Sequence, residues 1–235
     1  MNKPLVIQGL SKSFNTTPAV NDLDLELSQG EIFVLLGPNG AGKTTTIRLI
    51  AGILIPDSGR ITIGGYDLHR DPEKAKALIG LIPDSPFLYD LLTGREFIHF
   101  VGMLRGMDRS TIEARLGELN RYIDFGDWLD QRCGGYSHGM KQRLMFAQAL
   151  LHYPELLLID EPMVGLDPRA MLKVIDLLIQ VKARTGILIS THLIPLAEEL
   201  ADRLGIIVNG KLKYLGERGE FSGMIEQIFL TATNV

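Results

Sequence analysis

The stretch VLLGPNGAGKTTTIRLI, residues 34–50, holds the first residues whose spacing could do chemistry. Gly37 to Thr44 fits G-x-x-x-x-G-K-[ST], with an apolar run before it and a helical pattern after it. Glycines in such a loop let the backbone wrap closely, so that successive N–H groups point at phosphates. The candidate phosphate-binding residues are Gly37, Pro38, Asn39, Gly40, Ala41, Gly42, Lys43, Thr44 and Thr45. Lys43 supplies a point charge for β- and γ-phosphates, the Thr44 hydroxyl suits Mg²⁺, and the helix N-terminus adds its positive dipole end.

A second group closes the apolar run LLLIDEP at 156–162. Successive side chains on a strand point in different directions, so Asp160 and Glu161 cannot share one task. Asp160 suits a Mg²⁺ contact, and Glu161 suits orienting or deprotonating a water. A third group, GGYSHGMKQRL at 134–144, contains Gly135-Tyr136-Ser137-His138-Gly139. That run fits G-x-S-x-G, the pattern of a hydrolase nucleophile elbow. Asp167 and His192 follow Ser137 in the Ser…Asp…His order of such enzymes. The five residues alone leave open whether Ser137 is a nucleophile.

The elements that must position these groups read as a mixed α/β chain. EIFVLLG (31–37), ELLLID (155–160) and GILIS (186–190) are continuous apolar runs of strand length, suited to strands buried on both faces. Each precedes a helical pattern, at 42–54, 168–182 and 194–202. PLVIQGL, VNDLDLELSQ, GRITIGG and GIIVNGKLKYLG read instead as antiparallel strands and hairpins. Leu23, Leu25 and Leu27 alternate there with Asp22, Asp24 and Glu26, as in a half-buried strand. Strand signals vanish between about 93 and 132, where Phe97, Phe100, Val101 and Leu104 fall at helical spacing.

Bulk composition bounds the function. The 235 residues are 46% hydrophobic and 22% charged, ordinary for a soluble globular chain. The formal net charge of −4 gives no reason to expect a nucleic-acid partner. A single cysteine, Cys133, excludes an intrachain disulfide and suits a reducing compartment. MNKPLVIQGL lacks the pattern of a signal peptide, and no run approaches 18 uninterrupted apolar residues. If the protein works at a membrane, another chain is expected to span it.

The phosphate loop, YSHGMKQRL, LLLIDEPMVGLDP and ILISTHL occur in the order and spacing found in the nucleotide-binding subunits of ATP-binding cassette (ABC) transporters. The chain resembles that family over roughly residues 4 to 216. The resemblance implies a P-loop NTPase fold of α/β class, an ABC-type core with an antiparallel β subdomain and an inserted α-helical subdomain near 93–132. All of it would form a single ABC ATPase domain over 1–235. It implies ATP and Mg²⁺ as ligands, with Glu161 and His192 catalytic, the latter as a switch contacting the γ-phosphate. Phe14 matches the aromatic that stacks on adenine, and Asp167 the loop that crosses to a partner subunit. Ser137 and Gly139 match the signature that grips the γ-phosphate of the nucleotide held by the other protomer. Two such subunits would sandwich two ATP molecules and drive a separate transmembrane permease from the cytoplasmic face of the membrane.

This answers the question about Ser137. A hydrolase elbow follows a buried strand, whereas DFGDWLDQRCG before Ser137 is polar and broken by glycine. MKQRLMFAQALL after it has the composition of a long helix, with Leu144, Ala147, Leu150 and Leu151 on one face. A Ser-x-Gly turn opening a helix is an anion site, so Ser137 reads as a phosphate ligand. Two departures from the family matter. Tyr136, His138 and Met140 replace the usual Leu, first Gly and Gln of the signature. Asp84 stands where the family has a glutamine that meets Mg²⁺, and its LYDLLTGREF context leans towards exporters. The rival expectation is a soluble cassette ATPase acting on nucleic acid or the ribosome. Such proteins usually carry two cassettes, zinc cysteines or basic linkers, none of which is present here.

Overall fold

A computed structural model describes residues 3–85, 87–162 and 168–233. β1 (Leu5–Phe14) and β2 (Thr17–Leu27) form an antiparallel hairpin, and β3 (Ile32–Leu36) leaves it to enter a second sheet. α1 (Lys43–Ile50) follows the phosphate loop, after which β4 (Ser58–Ile63) and β5 (Tyr66–Asp67) return to the first sheet. α2 (Pro72–Ala77) leads to β6 (Ile79–Ile82) on the edge of the second. α3 (Gly94–Leu104), α4 (Arg109–Ile123), two short 3₁₀ turns and α5 (His138–Leu150) come next. The chain then alternates through β7 (Leu156–Asp160), α6 (Pro168–Lys182), β8 (Gly186–Thr191), α7 (Ile194–Leu200) and β9 (Arg203–Val208). β10 (Lys211–Glu217), α8 (Arg218–Phe221) and α9 (Ile225–Thr233) complete it.

The antiparallel sheet runs β2-β1-β4-β5, and the larger sheet β10-β9-β3-β8-β7-β6. Within the latter, the strands from β9 to β6 are all parallel, and β10 pairs antiparallel with β9. The continuous apolar runs are buried on both faces, as expected of such strands. Ile32, Val34, Leu36, Leu157, Ile159, Ile187 and Ile189 face one core, which the helices from α3 onward complete with residues such as Ile98, Leu116, Leu144 and Leu178. Phe33, Leu35, Leu156, Leu158 and Leu188 face the other, closed by α1, α2 and the antiparallel sheet. Leu23, Leu25 and Leu27 lie in that second core, and the acids between them do not.

The helical stretch is pinned at both ends by an isolated bridge between Thr93 and Arg132. Thr93 and Glu96 form a reciprocal capping box that starts α3, and the Asp108 carboxylate accepts the Thr111 N–H at 2.9 Å to start α4. Phe97 is buried, but Phe100 is partly exposed and Leu104 is 72% exposed, so the apolar stripe of α3 has a half that turns away from the core. Helical spacing identifies a stripe, not what covers it.

The signature helix α5 lies against the edge strand. A Cβ on Gly80 would come within 2.4 Å of the Ala149 carbonyl oxygen, so only glycine permits this approach. Side chains satisfy the strand's outward carbonyls: Gln148 Nε2 donates to Leu81 O at 2.8 Å, and Arg105 Nη2 to Ile79 O at 3.2 Å. His152 Nε2 lies 3.1 Å from Ile79 O and 2.9 Å from Arg105 Nη1. Its buried Nδ1 has no partner among the described residues. Burial, reinforced by the Arg105 charge, depresses the imidazole from its ordinary 6.5 to about 4. The unfolded chain therefore binds a proton that the folded one refuses, and stability falls as pH drops from 6.5 towards about 4. That loss is on the order of 3 kcal/mol. His152→Gln is expected to flatten the thermal-melting profile in this window, measured by calorimetry across pH.

Candidate functional site

A parallel sheet places the carboxyl ends of its strands along one edge, and here that edge gathers the chemistry. β3 leads into Gly37, β8 ends on Ser190-Thr191 before His192, β7 ends on Asp160 before Glu161, and β6 leads into Pro83-Asp84. β8 lies between β3 and β7, and the ladder continues past the strand ends. Gly37 N donates to Thr191 O at 3.2 Å, and Glu161 N to Ser190 O at 3.0 Å. Residues more than a hundred positions apart in sequence are thereby held in fixed register.

Two glycines are required by contact. A Cβ on Gly37 would come within 2.4 Å of Ile207 O, and one on Gly42, at φ +109°, within 2.1 Å of Ala19 O. Gly42 caps α1, whose first-turn N–H groups open towards the loop. Lys43 is buried and coiled back on its own loop, its Nζ donating to Gly37 O at 2.8 Å and Pro38 O at 3.1 Å. It also lies 3.5 Å from Glu161 Oε1. Its ammonium thus fills a cradle of carbonyls that a phosphate oxygen can compete for.

Asp160 is buried at the end of β7. Its Oδ1 accepts from Thr44 Oγ1 at 3.2 Å and closely from Ser190 Oγ. Burial raises its pKa above the ordinary 3.8; the two hydroxyl bonds oppose that, and the charges of Asp84 and Glu161 add to it. Glu161 adopts φ +51°, left-handed backbone that costs a non-glycine residue about 1–3 kcal/mol. That turn aims its carboxylate away from Asp160 and towards β8. Glu161 Oε2 pairs with His192 Nδ1 at 3.0 Å and accepts from Thr191 Oγ1 at 3.3 Å. Two adjacent acids thus have different surroundings, as their strand-end placement implied.

The structure brings together Lys43, Thr44, Asp160, Glu161 and His192, with Gly37 and Pro38 as acceptors. Asp84 is exposed and reaches Asp160 through its charge. Phe14 is 48% exposed at the end of β1, with Lys12 Nζ 6.0 Å from its ring centroid, in the hairpin whose Ala19 abuts Gly42. Ser137 and Gly139 stand apart from this cluster. Ser137 caps α5, its Oγ accepting from Met140 N at 3.3 Å, and a Cβ on Gly139 would meet nothing within 4 Å. Among the described residues no hydrogen bond joins Ser137 to Lys43, Asp160 or Glu161, and the pair faces outward. Asp167 lies outside the described residues.

Three partners escape a reading of motifs. Ser190 and Thr191 look like ordinary strand residues, yet their hydroxyls orient the two acids. Gln142 on α5 is buried and donates to Pro162 O at 3.1 Å. The unusual Tyr136 also has a structural explanation. Its hydroxyl donates towards Trp128 O (2.7 Å) and Gln131 O (3.1 Å) and accepts from Gly94 N (3.1 Å). Burial first, then the neighbouring Cys133 and the Asp130 charge, push it up to about 12 against the opposing Gly94 N–H, so it stays a donor. A Cβ on Gly94 would sit 2.4 Å from that oxygen, so Gly94 and Tyr136 go together.

The donor set bears on the metal. Among the described residues no group of three or more His, Cys, Asp or Glu could hold a metal ion by itself. One hydroxyl and one carboxylate on adjoining elements are hard oxygen ligands, which suit Mg²⁺ because it keeps several waters and takes phosphate oxygens. The site can therefore combine a glycine-rich backbone loop, the Lys43 ammonium, one carboxylate with one hydroxyl suited to a metal, and a second acid held by Thr191 and His192.

Comparison with known proteins agrees with this geometry. Residues 20–164 match the family model described as ABC transporter. The uncharacterized ABC transporter ATP-binding protein YxlF of Bacillus subtilis is 39% identical over 216 residues, covering 92% of this chain and 72% of the relative. The linearmycin resistance ATP-binding protein LnrL of the same organism is 36% identical over 216 residues, covering 91% and 69%. A solved ATP-binding subunit of an ABC transporter superposes with a TM-score of 0.88 at 34% identity, covering 97% of this chain and 98% of that one. Phosphate loop, paired strand-end acids and outward-facing signature stand on one chain with these relatives: the protein belongs to the ABC transporter family, as one of its ATP-binding, ATP-hydrolysing subunits.

Proposed function

We propose that residues 1–235 act as a single nucleotide-binding domain, that two such domains close head to tail on two Mg-ATP molecules, and that this motion drives export through a separate membrane-spanning subunit. Phe14 stacks on adenine, and Lys43 leaves its carbonyl cradle to meet the β- and γ-phosphates beside the Gly40–Thr45 backbone. Thr44 and Asp160 hold Mg²⁺, with Asp84 near enough to add a ligand, and the ion when bound neutralises phosphate charge. Glu161 takes the proton of the attacking water while Thr191 and His192 hold its carboxylate. Ser137 and Gly139 stand apart from Lys43, Asp160 and Glu161, which supports a role on the partner's γ-phosphate, with Asp167 in the crossing loop.

The observation that carries the transport half is an exposed apolar cluster beside the β6 end of the site. Phe87 and Leu91 are 73% and 79% exposed, next to Tyr89, Phe100, Met103 and the exposed Leu104. The Tyr89 ring meets Phe87 and Phe100 edge-on, each at 5.7 Å between centroids. A patch of this kind marks an interaction surface. It is wired to the signature, because Cys133 N donates to Leu92 O at 2.8 Å and Gly134 N to Asp90 O at 3.1 Å, just before Ser137. Among the described residues no helix is long and apolar enough to cross a membrane, which fits a partner that does so and a peripheral place at the cytoplasmic face. The resistance protein among the relatives supports export.

The Phe87→Asp/Leu91→Asp variant is expected to retain the ATP turnover of the purified chain within about twofold. It should lose at least about tenfold in recovery with the membrane fraction of the producing cell, since two buried charges at an interface centre cost several kcal/mol. Equal recovery of variant and wild type would overturn the docking assignment.

A further inference from the structure

Glu161 sits in a demanding backbone position. Its φ of +51° is unfavourable for a residue with a side chain, and the proline at 162 further restricts the residue before it. On its amino-terminal side the peptide is fixed by the ladder bond from Glu161 N to Ser190 O. Its carboxylate is held by Thr191 and His192. On the carboxyl-terminal side, the Pro162 carbonyl is bound by Gln142 Nε2 at 3.1 Å. Gln142 is buried on α5, five positions after the Ser137 cap, and projects from the helix that carries the signature. A carboxamide is well suited to this place: it donates to a carbonyl in a dry environment without bringing a charge near the acids.

We propose that Gln142 is a positioning residue for ATP hydrolysis, holding the Pro162 carbonyl, and with it the turn that follows Glu161, so that the Glu161 carboxylate stays aimed at the site of attack. The inference rests on the assignment of Glu161 as the base. Gln142 touches no nucleotide; it acts through Glu161. It also ties α5, whose exposed amino end serves the opposite nucleotide in the proposed dimer, to the acid serving this chain's own. A shift of the signature on dimer closure is thereby transmitted to the base within one protomer.

The test is a double-mutant cycle on the purified chain with Mg-ATP as probe, joining Gln142→Met to Glu161→Gln. Misplacing a catalytic group by about an ångström costs up to ~10²-fold in rate, so Gln142→Met should lower kcat roughly ten- to a hundredfold. KM should stay within about threefold, because phosphate and base contacts are untouched. On the Glu161→Gln background the same change should add nothing, since the group it positions is already gone. An unchanged kcat in folded Gln142→Met, a loss expressed in KM, or a further tenfold fall on the Glu161→Gln background would overturn the proposal. If Gln142→Met loses its cooperative thermal transition, Gln142→Ala, which removes the donor without adding a charge, goes through the same cycle. Retention of wild-type turnover by Glu161→Gln alone would instead overturn the base assignment, and the positioning role with it.

Discussion

Glu161→Gln is expected to reduce Mg-ATP turnover by roughly 10²–10⁴-fold, the range over which a positioned general base contributes. The amide keeps the size of the acid and one acceptor, so it can still meet Thr191, but it cannot take the proton of water. Nucleotide affinity should change little, because the phosphate contacts are assigned to Lys43 and the loop backbone in the proposed function. A complex that binds ATP and cannot hydrolyse it should stay closed, so light scattering with ATP should find the variant as a stable dimer and the wild type as a transient one. A variant that turned over at the wild-type rate would remove Glu161 from the chemistry. A monomeric, ATP-bound variant would speak against the nucleotide sandwich while leaving the base assignment intact.

Asp160→Asn should produce two effects of opposite sign. Removing the buried carboxylate takes away the negative ligand proposed for Mg²⁺, and turnover should fall by on the order of 10²–10³-fold, several kcal/mol of lost charge stabilisation. The nucleotide-free chain should nonetheless become more stable. Burial and the nearby acids hold the Asp160 pKa above 3.8, so its ionised form is disfavoured by folding. For an acid whose folded pKa is raised, stability declines as pH climbs from the unfolded value through the folded one and stays lower above it. The amide keeps acceptors for Thr44 and Ser190 without the charge. The gain should appear at neutral pH as a higher melting temperature, about 2–4 °C for each kcal/mol recovered in a chain of this size. The gain should vanish when the melt is run below the unfolded carboxylate pKa. A destabilised variant at neutral pH would show that the two hydroxyl bonds outweigh burial at this site.

The parts of this protein that were legible in its sequence are those encoded within a few residues. Continuous apolar runs announced strands buried on both faces, because burial on a parallel sheet is read one residue at a time. The spacing from Gly37 to Thr44 announced an anion cradle, because a loop followed by a helix start is a local object. The two acids at 160 and 161 were separable on strand geometry alone. Other features depended on segments distant in the chain. The outward turn of Phe100 needed Tyr89 beside it before an exposed apolar cluster could be seen. The reason for Tyr136 lies in Gly94, 42 residues away, and the hydroxyls that orient the acids sit 30 residues downstream. Gln142 reads in sequence as one more polar residue on an amphipathic helix. Only the packing of α5 brings its amide to the Pro162 carbonyl. Helix and strand periodicity specify which face is buried, but a hydrogen bond between remote segments depends on how those faces are docked, and the tertiary structure alone decides that.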